Sequence, residues 1–493
     1  MIHARKAALG AAVAAALAGV SLPALADSKT EAQLRRMIEL QAQQIEQQKT
    51  QLSAMNQRLS ALEHQAAPDA SASPAPDPAQ VQVAAAVADT RQDDDLAILQ
   101  AQVAQMATKG TGGDGNVNWR KGGPEFKSAD GTFTFHPRGR VLMDFSSTHG
   151  SGFDARNVTG TDLASGRLGA EGTYGDVGYK IEADFAGNAV TLKDIYASYE
   201  TRIGGLPTEF YVGNKLKDRS IDGATGNTTT PFMERNAVAS VGGMQSGYFG
   251  LGLTTKVYGD NWHASLAVTG DDVGNDSSAN DTIAYLARAH WNPVKGSAGF
   301  LHVGGWYWYE DLGGDVTSIN KTSQVALGWN GEVRVSASSI ANPTDDHAWG
   351  AELGGVWRSG WAFAETTVRT INSSSEASRE QKASSYSAGW LLTGEKPGFS
   401  ARSGLWSTTK VLNPVTEGGW GAFELLARYD DYDYTDTARG GEGDAWTVGV
   451  NWYLNNWSRL MLNVVHWSTN NKVGSYQGQD SGNTVGLRAQ VAF

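Results

Sequence analysis

The chain has 493 residues, with 59 glycines, 13 prolines, 16 tryptophans, 16 tyrosines, no cysteine and a formal net charge of −12. The lack of cysteine excludes disulfides and thiolate metal sites. A mean hydropathy of −0.36, with short apolar runs everywhere but the N-terminus, argues against helical membrane spans, each of which needs ~20 consecutive apolar residues. The acidic balance taken alone favours cations, but in a pore much of the charge sits on exposed loops, and no nucleic-acid partner is expected.

Residues 1–26 read as a secretory signal: Arg5 and Lys6, an apolar run from Ala7 to Val20, then Pro23 before the A-x-A pattern Ala24-Leu25-Ala26. Over 27–65 a heptad pattern follows. Ile38, Ile45, Leu52 and Leu59 recur every seven residues, with Leu34, Met55 and Leu62 in the second seam. This predicts a coiled coil. Residues 66–91, with Pro68, Pro74, Pro76 and Pro78, read as an extended linker. Leu96, Leu99, Val103 and Met106 place a short amphipathic helix over 92–109, and glycines 110–115 form a joint.

From residue 116 to 493 the texture changes to alternating stretches divided by Gly, Asn, Asp and Pro. Strands are expected at 132–145, 166–174, 177–186, 192–201 and 208–216. Further ones are expected at 248–258, 262–270, 282–291, 299–309, 324–336, 349–356, 361–370, 385–392, 422–429, 445–453, 459–466 and 485–493. Turns alternate between short (Gly175-Asp176, Gly204 to Pro207) and long (146–165, 217–237). In the last strand Val485, Leu487, Ala489, Val491 and Phe493 share one face; Thr484, Gly486, Arg488 and Gln490 share the other. The fold class this implies is an all-β transmembrane protein: a 16-stranded antiparallel outer-membrane β-barrel, greasy outside and wet within, preceded by a periplasmic coiled coil. Tryptophans 262, 291, 306, 308, 357, 361, 420, 452, 457 and 467 fall mostly near strand ends, as aromatic girdles require.

The candidate ion path follows from parity. Arg138, Arg140, Arg167 and Lys180 lie opposite the lipid-facing residues of their strands, and Lys215 and Lys217 opposite Val212 and Leu216. The third long loop opens on Lys215-Leu216-Lys217-Asp218-Arg219 and closes on Met233-Glu234-Arg235. A loop folded into the lumen narrows it, and its cations set which ions pass. Glu171, Glu182 and Asp184 share the same inward faces, so pairing that merely stiffens the wall stays open. No catalytic set, metal spacing or phosphate loop stands out; neither enzyme activity nor a cofactor is expected.

Several runs carry a family resemblance. They are Gly166-Arg167-Leu168-Gly169-Ala170-Glu171-Gly172, Tyr179-Lys180-Ile181-Glu182-Ala183-Asp184-Phe185, Leu192-Lys193-Asp194-Ile195-Tyr196, Tyr211-Val212-Gly213-Asn214-Lys215, Pro231-Phe232-Met233-Glu234-Arg235 and Asn451-Trp452-Tyr453-Leu454-Asn455. In this order they resemble the phosphate-selective porins O and P. The resemblance covers the barrel and not the linker, and Phe-Met-Glu-Arg is its most specific piece. It implies a sixteen-stranded trimer in the outer membrane that passes phosphate or polyphosphate along arginines and lysines. Lys180, Lys215 and Arg235 match, Arg140 and Arg167 match approximately, and Asn214 to Asp218 replaces a proline-bearing run. The expected function is passive, anion-preferring diffusion. The alternatives are a general or sugar-permeable porin, or an envelope tether whose coiled coil meets peptidoglycan or a periplasmic partner.

Overall fold

The computed structural model describes residues 115–120, 122–274, 282–320, 322–436 and 439–493. The expected signal, coiled coil, linker and short helix lie outside these. Sixteen strands form the barrel: Phe133–His149, Thr159–Tyr174, Val177–Asp184, Thr191–Ile203, Leu206–Leu216, Phe249–Tyr258, Trp262–Thr269, Ile283–Trp291, Gly299–Asp311, Pro343–Trp357, Gly360–Ser373, Arg379–Leu391, Ala422–Asp433, Glu442–Tyr453, Ser458–Asn471 and Gly478–Ala492. Each pairs antiparallel with its chain neighbours. The last closes on the first, from Asn483 opposite His149 to Ala492 opposite Arg140. Closure matters because an open edge within lipid would leave backbone N–H and C=O groups unpaired. A hairpin, Gly115–Arg120 with Gly123–Ser128, continues the first strand's edge below the C-terminus, where Phe126 faces Phe135. No helix among the described residues is long and apolar enough to cross a membrane.

The period-two pattern explains the wall. In the closing strand Thr484, Arg488 and Gln490 are buried, whereas Leu487 is 48% exposed. In the first, Val141, Met143 and Phe145 point outward while Leu142 and Asp144 are buried. The outer face is therefore apolar and the inner face polar, the reverse of a water-soluble barrel.

Three connections fill most of the interior. At one end of the barrel, here the loop end, residues 217–248 and 312–342 fold inward. At the other, the turn end, most connections are short: Tyr174 and Val177 pair directly across Gly175-Asp176. Residues 392–421 are the exception, a long segment that also turns inward. Trp406 donates its indole N–H to Asp222 of the third loop (3.0 Å), so the two insertions meet inside.

The structure corrects two expectations. Residues 324–336 are not a barrel strand. Only Ser323–Gln324 and Arg334–Val335 pair, with one another, and Val325, Leu327, Val333 and Val335 pack against Trp308, Tyr434 and Trp467. Their apolar character serves a core inside the barrel mouth and not lipid contact. Trp306, Trp308 and Trp467 are buried in that core, and Trp361 is buried in a second one with Phe363 and Trp406; at 0–4% exposed, none of Trp306, Trp308, Trp361 and Trp467 belongs to a girdle. Trp262, Trp291, Trp357 and Trp420 do face outward.

Candidate functional site

The third loop is built to cross the barrel. It carries two short helices, Ile221–Ala224 and Ala237–Val241, capped by Ser220 and Asn236, whose side chains accept from the N–H groups of Gly223 and Ala239. Both types of cap satisfy otherwise orphaned donors of a first turn. The loop is then tied to the far wall strand by strand. Glu365 accepts from Ile221 N (2.8 Å) and Asn236 Nδ2 (2.5 Å). Asp430 accepts from Ala237 N, and Asn463 from Met233 N. Arg428 donates to the Glu234 carbonyl, and Arg488 to the Met233 carbonyl (2.6 Å). Arg488 is itself held by Asp144 in a two-pronged pair at 2.7 Å. The candidate strip of lumen lies on the other side, between the loop and the first five strands, where Arg140 donates to Asn227.

Into that strip project most of the cations expected from parity. Arg138 meets Glu171 (2.6 Å). Arg140 meets Glu182 (2.7 Å) and donates to Asn227 of the loop (2.6 Å). Arg167 bridges Glu182 and Asp184. Lys180 joins Asp194 (2.5 Å) and reaches Glu182 at 3.4 Å. These four cations thus meet four carboxylates, and their fields largely cancel at a distance.

Near these four, Lys193, Lys215 and Arg235 have no ion-pair partner among the described residues. Lys215 is half-buried, donates to the Leu216 carbonyl and lies 5.0 Å from the Tyr211 ring. Arg235 donates to the carbonyls of Asp222 (2.9 Å) and Thr225 (2.7 Å) and lies over Tyr248. Lys193, absent from the expected set, lies 5.8 Å from the Phe249 ring. On the fourth strand it shares the parity of Ile195, which pairs with the outward Ile181, so alternation does not point to it; the register shifts beside it, between Ile181 and Ala183.

Lys217 and Arg219 are placed differently. Lys217 is 3% exposed and donates to Ser246; Arg219 is 1% exposed and donates to the Ala239 carbonyl. Both pack inside the loop, because alternation lapses once the strand ends at Leu216. Burial pushes the Lys217 ammonium down to about 8.

Two chambers bound the strip. The upper, about 240 Å³, is lined by Asp144, Asp162, Asn227, Glu234, Arg235 and Arg488. The lower, about 260 Å³, is lined in part by Arg138, Thr228, Thr229 and Arg459. Asn227 faces the upper chamber and its neighbour Thr228 the lower.

Histidines scattered in the sequence converge as well. His263 and His290 are cross-strand partners. Their rings lie 5.4 Å apart, and His290 stacks on His302 at 4.9 Å. All three are buried beneath the inserted turn, where Ala401 accepts from His290 or Asn292. The cluster depends on the cross-strand register, which alternation alone does not fix.

The profile of the family described as phosphate-selective porin O and P matches residues 135–493. The chain belongs to this family. It is therefore an outer-membrane porin, a channel-forming barrel. Porin O of Pseudomonas aeruginosa is 28% identical over 437 residues, covering 81% of this chain and 97% of that protein. An uncharacterised Caulobacter vibrioides protein is 29% identical over 436 residues, covering 84% and 82%. Among solved structures, a loop-deletion mutant of the Vibrio cholerae outer-membrane protein OmpT overlays with a TM-score of 0.48 at 11% identity, over 73% of this porin and all of that chain.

Proposed function

We propose that this porin gives passive, anion-preferring diffusion, phosphate or polyphosphate being the permeant, through the strip that the third loop leaves open. What carries the reading is the imbalance of charge there. Arg138, Arg140, Arg167 and Lys180 are matched by carboxylates, while Lys193, Lys215 and Arg235 are left over. An unmatched cation in a low-dielectric wall concentrates anions, and Arg presents a fork suited to phosphate oxygens. The family description favours the same permeant. Assembly as a trimer, with the 27–65 coiled coil in the periplasm, completes the proposal; it rests on the family resemblance and on heptads that need partners.

The test is a reversal-potential measurement in planar bilayers under a potassium chloride gradient. The wild type should favour chloride. Lys215→Gln with Arg235→Gln should move the reversal potential toward zero or past it. A wild type that favours potassium and does not respond to this pair would end the anion reading. Charge-matched swaps at Arg138 and Glu171 should change it little, since that pair is already neutral.

A further inference from the structure

We propose that a groove in the outer wall, over the tenth to thirteenth strands at the turn end, is a binding site for one anionic phospholipid. An acyl chain lies in the groove, and the phosphate sits on a basic rim beneath it. The proposal concerns the lipid face of the barrel and stands apart from the anion-preferring reading of the lumen.

Cross-strand register places four small residues in one row: Gly355 opposite Ala362, Ala362 opposite Ala388, and Ala388 opposite Ala427. All four have outward parity. Leu301 closes one end of the row, opposite Gly355, and Val448 the other, opposite Ala427. Two residues nearer the turns, the next row carries Trp357 and Trp390, both exposed. Two residues the other way it carries Leu353 and Tyr386, also exposed. Large side chains thus surround a floor of almost bare backbone, and the hollow measures about 930 Å³. Three strand spacings of ~4.8 Å make the row roughly 14 Å long. No Asp, Glu, Lys or Arg lines it. A concave apolar floor gives a chain of methylenes more atoms to touch than a convex wall does, and dispersion adds up contact by contact.

Below this row the turn end carries cations. Arg358 follows Trp357 and is exposed, and its backbone N–H donates to the Ala298 carbonyl (2.7 Å). Lys396 Nζ donates to the Ser297 carbonyl (2.8 Å). Both residues therefore sit beside the turn that leads into the ninth strand. Lys295 belongs to that turn and donates to the Asp260 carbonyl (2.8 Å). None of the three has an ion-pair partner among the described residues. Two carboxylates come near them in the chain, Asp260 and Glu395. Glu395 is 1% exposed and accepts from Thr393 and Leu412. Three exposed cations thus face the one free carboxylate of Asp260. The occupant that fits is apolar along most of its length and anionic at one end. Free phosphate gains nothing from the groove, and a zwitterionic lipid brings its own cation to a basic rim. An anionic phospholipid satisfies both, with arginine's fork suited to its phosphate oxygens.

The experiment equilibrates the full-length porin in detergent with dioleoylphosphatidylglycerol or, separately, dioleoylphosphatidylcholine, and counts retained lipids by native mass spectrometry. The wild type should hold phosphatidylglycerol about tenfold more tightly than phosphatidylcholine. Arg358→Gln with Lys396→Gln should erase that preference, since each basic residue near a membrane surface is worth about fivefold in binding. Ala362→Phe with Ala388→Phe should fill the groove and weaken retention of both lipids. Ala362 and Ala388 face away from the lumen, and Arg358 and Lys396 are exposed at the turn end. Chloride conductance should therefore match the wild type in both pairs and report a folded channel. Should a pair fail to fold, Lys396→Gln alone and Ala388→Phe alone carry the same comparison. Equal retention of the two lipids by the wild type would overturn the proposal, as would phosphatidylglycerol retention that no variant changes. Loss of the oligomer in place of lipid, on filling the groove, would assign this face to a second copy of the chain and overturn it too.

Discussion

Glu234 and Arg235 are neighbours in sequence and share the upper chamber. Scarce water there pushes the Glu234 carboxyl above the usual range, against the pull of Arg488. A raised pKa means that protonation begins at a higher pH than for an ordinary glutamate near 4.3. As pH falls from neutrality, the chamber loses this negative charge earlier than it would with an unperturbed glutamate. Chloride preference should therefore rise on mild acidification, and Glu234→Gln should remove that part of the dependence; reversal potentials at several pH values measure both. A second residue, Gly139, shows how closely the ends of the chain fit. A Cβ there would lie 2.4 Å from the Phe493 ring, and the two residues exchange both backbone hydrogen bonds. Gly139→Val should cost about 1–3 kcal/mol by overpacking, read as a lower temperature for loss of the compact band on a gel. Much at this scale was legible. Parity alone found Arg138, Arg140, Arg167, Lys180 and Lys215 on the inner face, because a strand allows only two directions. Their partners were not legible, since which carboxylate meets which cation depends on cross-strand register.

The third loop is held by donors and acceptors that the sequence gives no hint of pairing. Glu365 is the clearest: 6% exposed, accepting from both helix-flanking segments. Glu365→Ala would strand two buried donors at about 1–3 kcal/mol each, freeing the loop from the wall while the barrel's backbone ladder persists. Single-channel conductance should rise, with more current noise and weaker ion discrimination; unchanged conductance would show that other ties suffice. Elements differed in how plainly they could be read. Strands facing lipid on one side and water on the other announce themselves by alternation. Residues 324–336 alternate too, but for an internal core, and periodicity cannot tell the two apart. The inserted turn at 392–421 was missed because connections at that end are expected to be short. Its own signals were Phe399 and Trp406 among Pro397, Gly398 and Gly404, apolar residues with no strand to serve. They pack on Phe363 and Trp361 inside the barrel.

Taken whole, the molecule places its polar groups on the inside and leaves lipid-facing residues where a soluble protein would have water. Its arginines show how inner polarity is stabilised: Arg288 forks onto Glu352 at 2.9 Å, and Arg369 pairs with Asp346, both fully buried. Such pairs tie wall strand to wall strand, and Arg288 also donates to the Ser403 and Gly404 carbonyls of the inserted turn. One consequence concerns order of assembly. Trp406 reaches Asp222 from below, and it sits on the segment that joins the twelfth and thirteenth strands, while its partner lies between the fifth and sixth. The narrowing thus works like an arch whose keystone comes from the opposite pier. A nascent hoop with only its early staves in place lacks that stone, so the gate is set late, after most of the wall has been raised.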